Sequence, residues 1–121
     1  MILLDANIIL RYLLNDHEEM ALQAEKYILE ENAAVTTEVV AEVVYVLKRV
    51  YSVDRAETAA VISEFLHMVN CSEAEILQEG LCTYADTTLD FVDCLLYAYH
   101  KINGYEIRTF DKKLAKQLKH G

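Results

Sequence analysis

Ile2-Leu3-Leu4-Asp5-Ala6-Asn7 opens the chain with an apolar run that stops at a carboxylate. Such a run reads as a short buried strand over residues 2–4 that turns at Asp5 into a helix over 8–14. The same alternation continues downstream. Ala21, Ala24, Tyr27 and Ile28 recur at helical spacing and predict a helix over 17–30, followed by a strand over 33–35. Thr36 or Thr37 caps a helix reaching about residue 51, and Asp54 caps another to about 68, with Glu57 as its capping-box partner. A weak strand pattern covers 71–73 and a helical one 74–85. Asp90 caps a strongly apolar helix through 102 that stops at Asn103-Gly104. Residues 105–110 read as a strand, and Asp111 caps a last helix ending at Gly121. Helices alternating with short apolar strands predict an α/β fold, a parallel sheet of about four or five strands covered by helices on both faces. Sites in such sheets form beyond the carboxyl ends of the strands, where Asp5 and Asp111 stand.

The 121 residues fit one domain spanning 1–121, and a hydrophobic fraction of 54% suffices for its core. No basic segment precedes the first apolar run, which argues against a signal peptide. No apolar run reaches the roughly 18 residues of a membrane span. A cytoplasmic, soluble protein is expected. The three cysteines, at 71, 82 and 94, form no C-x-x-C pair, so buried free thiols are expected rather than disulfides or zinc. A net charge of −9 is unusual for a nucleic-acid binder unless part of the acid belongs to a metal site.

Four carboxylates stand where the local pattern calls for something apolar or merely a cap. Asp5 ends a buried strand, although it also suits a turn that bonds its own backbone. Glu42 lies in Glu38-Val39-Val40-Ala41-Glu42-Val43-Val44-Tyr45-Val46-Leu47, a helix apolar around nearly its whole circumference. Val39, Val43 and Val46 mark its buried stripe, and Val40, Val44 and Leu47 widen it. Only the face through Glu38, Glu42 and Tyr45 is polar, and it is either a solvent stripe or a site. Asp93, in Asp90-Phe91-Val92-Asp93-Cys94-Leu95, sits in the first turn of an apolar helix, while Asp90 is explained as its cap. Asp111, in Arg108-Thr109-Phe110-Asp111, is itself a good cap, and the Thr109 hydroxyl is placed to orient a neighbouring carboxylate. Carboxylates gathered at one sheet edge repel and raise each other's pKa. A hard divalent cation removes that conflict, and a set without His or Cys favours Mg²⁺ or Mn²⁺.

Leu3-Leu4-Asp5-Ala6-Asn7-Ile8, Glu42-Val43-Val44-Tyr45-Val46-Leu47, Asp90-Phe91-Val92-Asp93 and Thr109-Phe110-Asp111, in that order, resemble the PIN domain family. The resemblance spans nearly the whole chain and looks most like the short toxins of the VapC type. It implies a three-layer α/β/α, Rossmann-like nuclease fold that binds Mg²⁺ or Mn²⁺ and cuts RNA. Asp5, Glu42, Asp93 and Asp111 take the family's catalytic and metal-binding positions, with Asp90 as an accessory ligand. Asn7 and Thr109 match its supporting polar positions. The chain departs from the pattern after Asp111, where many relatives carry another acid and this one has Lys112-Lys113-Leu114.

The chemistry so implied is metal-dependent hydrolysis of RNA phosphodiesters. Lys112, Lys116 and Lys119 recur along one face of the last helix, and Arg11 and Arg108 are further candidates for holding RNA. The lysines equally complement a helix dipole. An antitoxin protein offering a basic side chain to the acidic cluster, and a second copy of the chain, are the partners the resemblance implies. Three alternatives stand beside it: a PIN nuclease of RNA processing, an inactive PIN-like binding module, and a phosphatase of the haloacid-dehalogenase type. The last needs a second Asp where Asn7 stands.

Overall fold

The computed structural model describes residues 1–120. Among these residues are two short strands and seven helices: β1 (Ile2–Leu3), α1 (Ala6–Leu14), α2 (Glu18–Glu30), β2 (Ala33–Ala34), α3 (Thr37–Arg49), α4 (Arg55–Leu66), α5 (Ala74–Asp86), α6 (Phe91–Asn103) and α7 (Lys112–His120). The expected stop at Gly121 lies outside the described residues.

Local hydrogen bonds set most helix starts. Asp5, Thr36 and Asp54 each accept from the backbone N–H three residues on, at 3.0, 3.2 and 2.8 Å. Asp111 does the same for Leu114 at 2.8 Å. His17 takes this part for α2 through Nδ1, which accepts from Met20 N–H. α6 ends at Gly104, whose φ of 73° lies in the left-handed region that glycine enters without strain.

The sheet is smaller than expected. β1 and β2 pair in parallel, Ile2 opposite Ala33 and Leu3 opposite Ala34. Among the described residues the only extension is an isolated parallel bridge from Ala34 to Asn70, so four or five strands do not form. The bridge falls at Asn70, just before the predicted strand at 71–73. The predicted strand at 105–110 is unpaired. His100 Nδ1 donates to the Tyr105 carbonyl at 2.9 Å, which ties the start of this segment to α6 instead of to a strand. Tyr105 is 57% exposed and the Phe110 side chain is fully exposed. An alternating pattern reports which face is buried, not whether a backbone edge is free to pair.

One hydrophobic cluster runs from Leu4 to Leu114 and draws on all seven helices. Its densest part is the stack of α4 on α5 on α6. Gly80 permits that approach: a Cβ there would stand 2.8 Å from Leu95 Cδ2. On α3 the buried stripe is Val40, Val43, Val44 and Leu47, with Val39 and Val46 only half-buried, a rotation from the expected one. Of the cysteines, Cys94 is buried but Cys82 is exposed, so the expectation of buried thiols holds for only part of the set. The tyrosines divide similarly, with Tyr84 and Tyr97 in the core and Tyr45 and Tyr105 in solvent.

Candidate active site

The amino end of α6 is held by a clamp from α4. Arg55, in the first turn of α4, donates through Nε to the Tyr84 carbonyl at 2.8 Å and through Nη2 to the Leu89 carbonyl. Its guanidinium lies 3.7 Å from the centroid of the Tyr84 ring. Tyr84 in turn meets Phe91, the first residue of α6, edge to face at 5.8 Å. Thr87 closes the connection, donating its hydroxyl to Thr83 O at 2.8 Å and accepting from Leu89 N–H. Burial pushes the Cys94 thiol up to about 11, so it stays protonated beneath this turn. Arg55→Ala removes two charge-assisted bonds and a cation–π contact. It is expected to cost about 2–4 kcal/mol in urea denaturation. Arg55→Lys should recover only part, because an ammonium cannot reach two carbonyls as a planar fork does. A Lys variant as stable as the wild type would reduce the clamp to its charge.

The clamp holds the backbone that leads directly into Asp90 and the first turn of α6. Asp90 occupies the N-cap position but makes no side-chain cap bond, so its carboxylate is uncommitted. Asp93 follows on the first turn, half-buried. Its carboxyl is pushed above the ordinary 3.8 by burial first, then by the negative charges of Asp111 and Asp90. Asp111 is brought in from the start of α7, which packs on α6. One of its oxygens caps α7, and its own backbone N–H donates to Thr109 Oγ1 at 3.0 Å. Thr109 therefore acts through the backbone, fixing the turn that carries the carboxylate.

The structure gathers Asp90, Asp93 and Asp111 within electrostatic reach. Asp5 and Glu42 are not among the charges that move Asp93. Asp5 stands at the carboxyl end of β1, exposed, with Oδ1 spent on the cap of α1 and Oδ2 free of it. Asn7, two residues on in the first turn of α1, is exposed. Glu42 projects from the exposed face of α3, which packs against both α1 and α6. Among the described residues no group of three or more His, Cys, Asp or Glu is arranged to hold a metal ion as it stands. Fit to a cation rests instead on the donors. Asp93 is a half-buried carboxylate whose ionised form is disfavoured by burial and by the charges of Asp111 and Asp90, a conflict that a bound cation would relieve. All the donors are hard oxygens, which suits Mg²⁺ or Mn²⁺.

Basic residues flank this acid on two sides. Lys113, Lys116 and His120 of α7 border one groove with Thr87, Thr88 and Leu89, the residues that precede Asp90 in the chain. Lys112 and Lys119 are exposed on the same helix. On the other side Tyr45, Lys48 and Arg49 of α3 share a groove with Asp90 and Asp93. Lys48 and Arg49 do not stand out in the sequence as RNA contacts, although Arg49 continues the polar stripe of Glu38, Glu42 and Tyr45 at helical spacing. Arg11 and Arg108 are already engaged, Arg11 with Asp16 at 3.0 Å and Tyr51, Arg108 with Glu106 at 2.9 Å.

The scaffold thus carries acidic side chains at the carboxyl end of β1, at the amino end of α6 and at the start of α7. The sequence model of the PIN domain family matches residues 2–118, and the chain belongs to that family. PIN domains are three-layer α/β/α proteins and in general metal-dependent nucleases. No curated protein and no solved structure matches the chain significantly. No helix among the described residues is long and apolar enough to cross a membrane.

Proposed function

We propose that this chain is an Mg²⁺- or Mn²⁺-dependent endoribonuclease, acting in the cytoplasm as the toxin of a type II toxin–antitoxin pair. The observation that supports the reading most is the PIN family match over residues 2–118, with Asp90 and Asp93 at the amino end of α6 and Asp111 at the start of α7, a helix that packs on α6.

Asp93 and Asp111 are the central ligands, and Asp90 is the accessory one. Asp5, through its uncapped oxygen, and Glu42, through a free exposed side chain, complete the set from α1 and α3. When bound, the metal ion supplies Lewis acidity for hydrolysis of the phosphodiester bond. The protein residues position the charge. Thr109 and the α7 cap hold Asp111, Asn7 supports the turn after Asp5, and the Arg55 clamp holds the α6 end. Lys112, Lys116 and Lys119 draw the RNA backbone towards the acid by offsetting phosphate charge, and Arg11 and Arg108 would join them by exchanging their pairs with Asp16 and Glu106 for phosphate. A cognate antitoxin would mask the same carboxylates with a basic side chain, Arg above all. Homodimerisation is part of this reading, as is a short neighbouring gene for a DNA-binding protein.

A second reading has one observation in its favour. With no ligand group assembled among the described residues, the chain also suits an inactive PIN-like module. Incubation of total cellular RNA with the wild type and with Asp5→Asn separates the two. The expected result is Mn²⁺-dependent cleavage that the substitution reduces by more than about 100-fold, since even outer-shell partners of a metal ligand cost about 10–100-fold. An intact wild-type protein that binds no Mn²⁺ at millimolar concentration by calorimetry, and leaves all RNA uncut, overturns the nuclease reading.

A further inference from the structure

We propose that the groove between α3 and the amino end of α6 is a single-stranded RNA subsite, in which Tyr45 stacks a base flanking the scissile phosphate while Lys48 and Arg49 hold the adjoining phosphates. This rests on the nuclease reading above and adds to it a substrate-binding surface.

The groove has a volume of about 440 Å³, within the range of small-ligand sites. Its floor is apolar, formed where Val44 and Tyr84 meet Phe91. Its two rims differ in charge. The α6 rim carries Asp90 and Asp93, and the α3 rim carries Lys48 and Arg49. Two apolar side chains stand in solvent above the floor, Tyr45 at 58% and Val92 at 59% exposed. An exposed aromatic ring beside an apolar floor offers a face on which a planar group can stack.

Charge decides what covers it. The chain carries 20 acidic against 11 basic residues, so two adjacent cations on a rim facing carboxylates depart from the acidic average of the surface. Arg11, Lys101 and Arg108 are taken up in ion pairs and Arg55 in carbonyl bonds. Lys48 and Arg49 form no ion pair among the described residues, even though carboxylates share their groove. A basic peptide would suit Asp90 and Asp93 but would be repelled by the α3 rim. A nucleotide matches both rims: its phosphates meet the cations, and Asp90 and Asp93 on the other rim would hold a divalent cation that offsets the charge of the scissile group. Arg49 also lies 5.6 Å from the Tyr45 ring, which holds the ring as a platform. Bases stack on such platforms with little sequence preference. Lys48 and Arg49 also complement the dipole at the end of α3, but that role does not require the tyrosine or the groove.

The test uses a fluorescein-labelled, mixed-sequence single-stranded RNA of about 12 nucleotides and reads anisotropy with cleavage in parallel. All variants are compared in the Asp93→Asn background for binding and in the wild-type background for cleavage. Tyr45→Ala is expected to raise Kd about 5- to 100-fold, and Tyr45→Phe to restore it. The Lys48→Ala/Arg49→Ala double variant should flatten the dependence of log Kd on log salt by about 0.7 per lost phosphate contact. Lys26→Ala, a charge change on exposed α2, should leave that slope unchanged. If Asp93→Asn abolishes cleavage while both groove variants bind RNA as the parent does, the subsite is wrong and the nuclease reading survives. If Asp93→Asn cleaves normally while the groove variants bind weakly, the nuclease reading fails and the groove stands as an RNA-binding surface. A wild type that neither binds nor cuts the RNA overturns both.

Discussion

Asp93→Asn is expected to abolish metal-dependent RNA cleavage and to make the metal-free protein more stable. The two effects have one cause. Burial and the charges of Asp111 and Asp90 raise the Asp93 pKa in the folded state above its ordinary value. The native protein therefore binds that proton more tightly than the unfolded chain, and stability falls as pH climbs through the folded pKa. At neutral pH the ionised carboxylate is a net cost, which the neutral amide removes at nearly constant volume. Because the site is part-exposed and screened, a gain of about 0.5–1 kcal/mol is expected. The gap between variant and wild type should narrow as pH falls through the raised folded pKa and close below the ordinary value of 3.8, where the carboxyl is protonated in both the folded and the unfolded chain. Millimolar Mn²⁺ should reverse the order by raising the melting temperature of the wild type alone. Thermal melts at several pH values, with and without Mn²⁺, measure all of this. A destabilised Asn variant in the metal-free state would make Asp93 a structural residue.

Leu114→Ala is expected to have the largest effect on stability and to silence the site without touching a carboxylate. Leu114 is the one buried residue of α7, fully enclosed, while the rest of that helix is polar or half-exposed. Removing a buried leucine side chain costs about 2–5 kcal/mol. Here the lost packing also frees the helix whose first turn Asp111 caps. Cleavage should fall together with hydrogen-exchange protection in α7, whereas protection in the α4–α5–α6 stack should change little. Equal loss of protection throughout would show that α7 unfolds only with the whole domain. Retained cleavage with α7 detached would remove Asp111 from the active site.

The amino-acid order alone was enough for the helices and their starts. Thr36, Asp54 and Asp111 cap the helices they were expected to cap, because a side-chain oxygen and an N–H three residues away need no distant partner. The ordered motifs around Asp5, Glu42, Asp93 and Asp111 likewise pointed to the PIN domain family, which the match over residues 2–118 shows. Asp90 was misjudged by the same local logic: it stands at the cap position and leaves its carboxylate unused.

What lay between elements was decided by the tertiary structure. Packing of α7 on α6 brings Asp111 within electrostatic reach of Asp93, while Asp5 stays at the turn between β1 and α1 and Glu42 on α3. The Arg55 clamp spans 29 and 34 residues, and no local pattern announces it. The segment over 105–110 has the composition of a strand but stays unpaired, because His100 takes its first carbonyl and no sheet edge reaches it. Caps and periodicity act over a single turn, which the order of residues encodes directly. Distances between charges, and the pairing of strand edges, depend on how whole elements pack, and only the folded chain sets those.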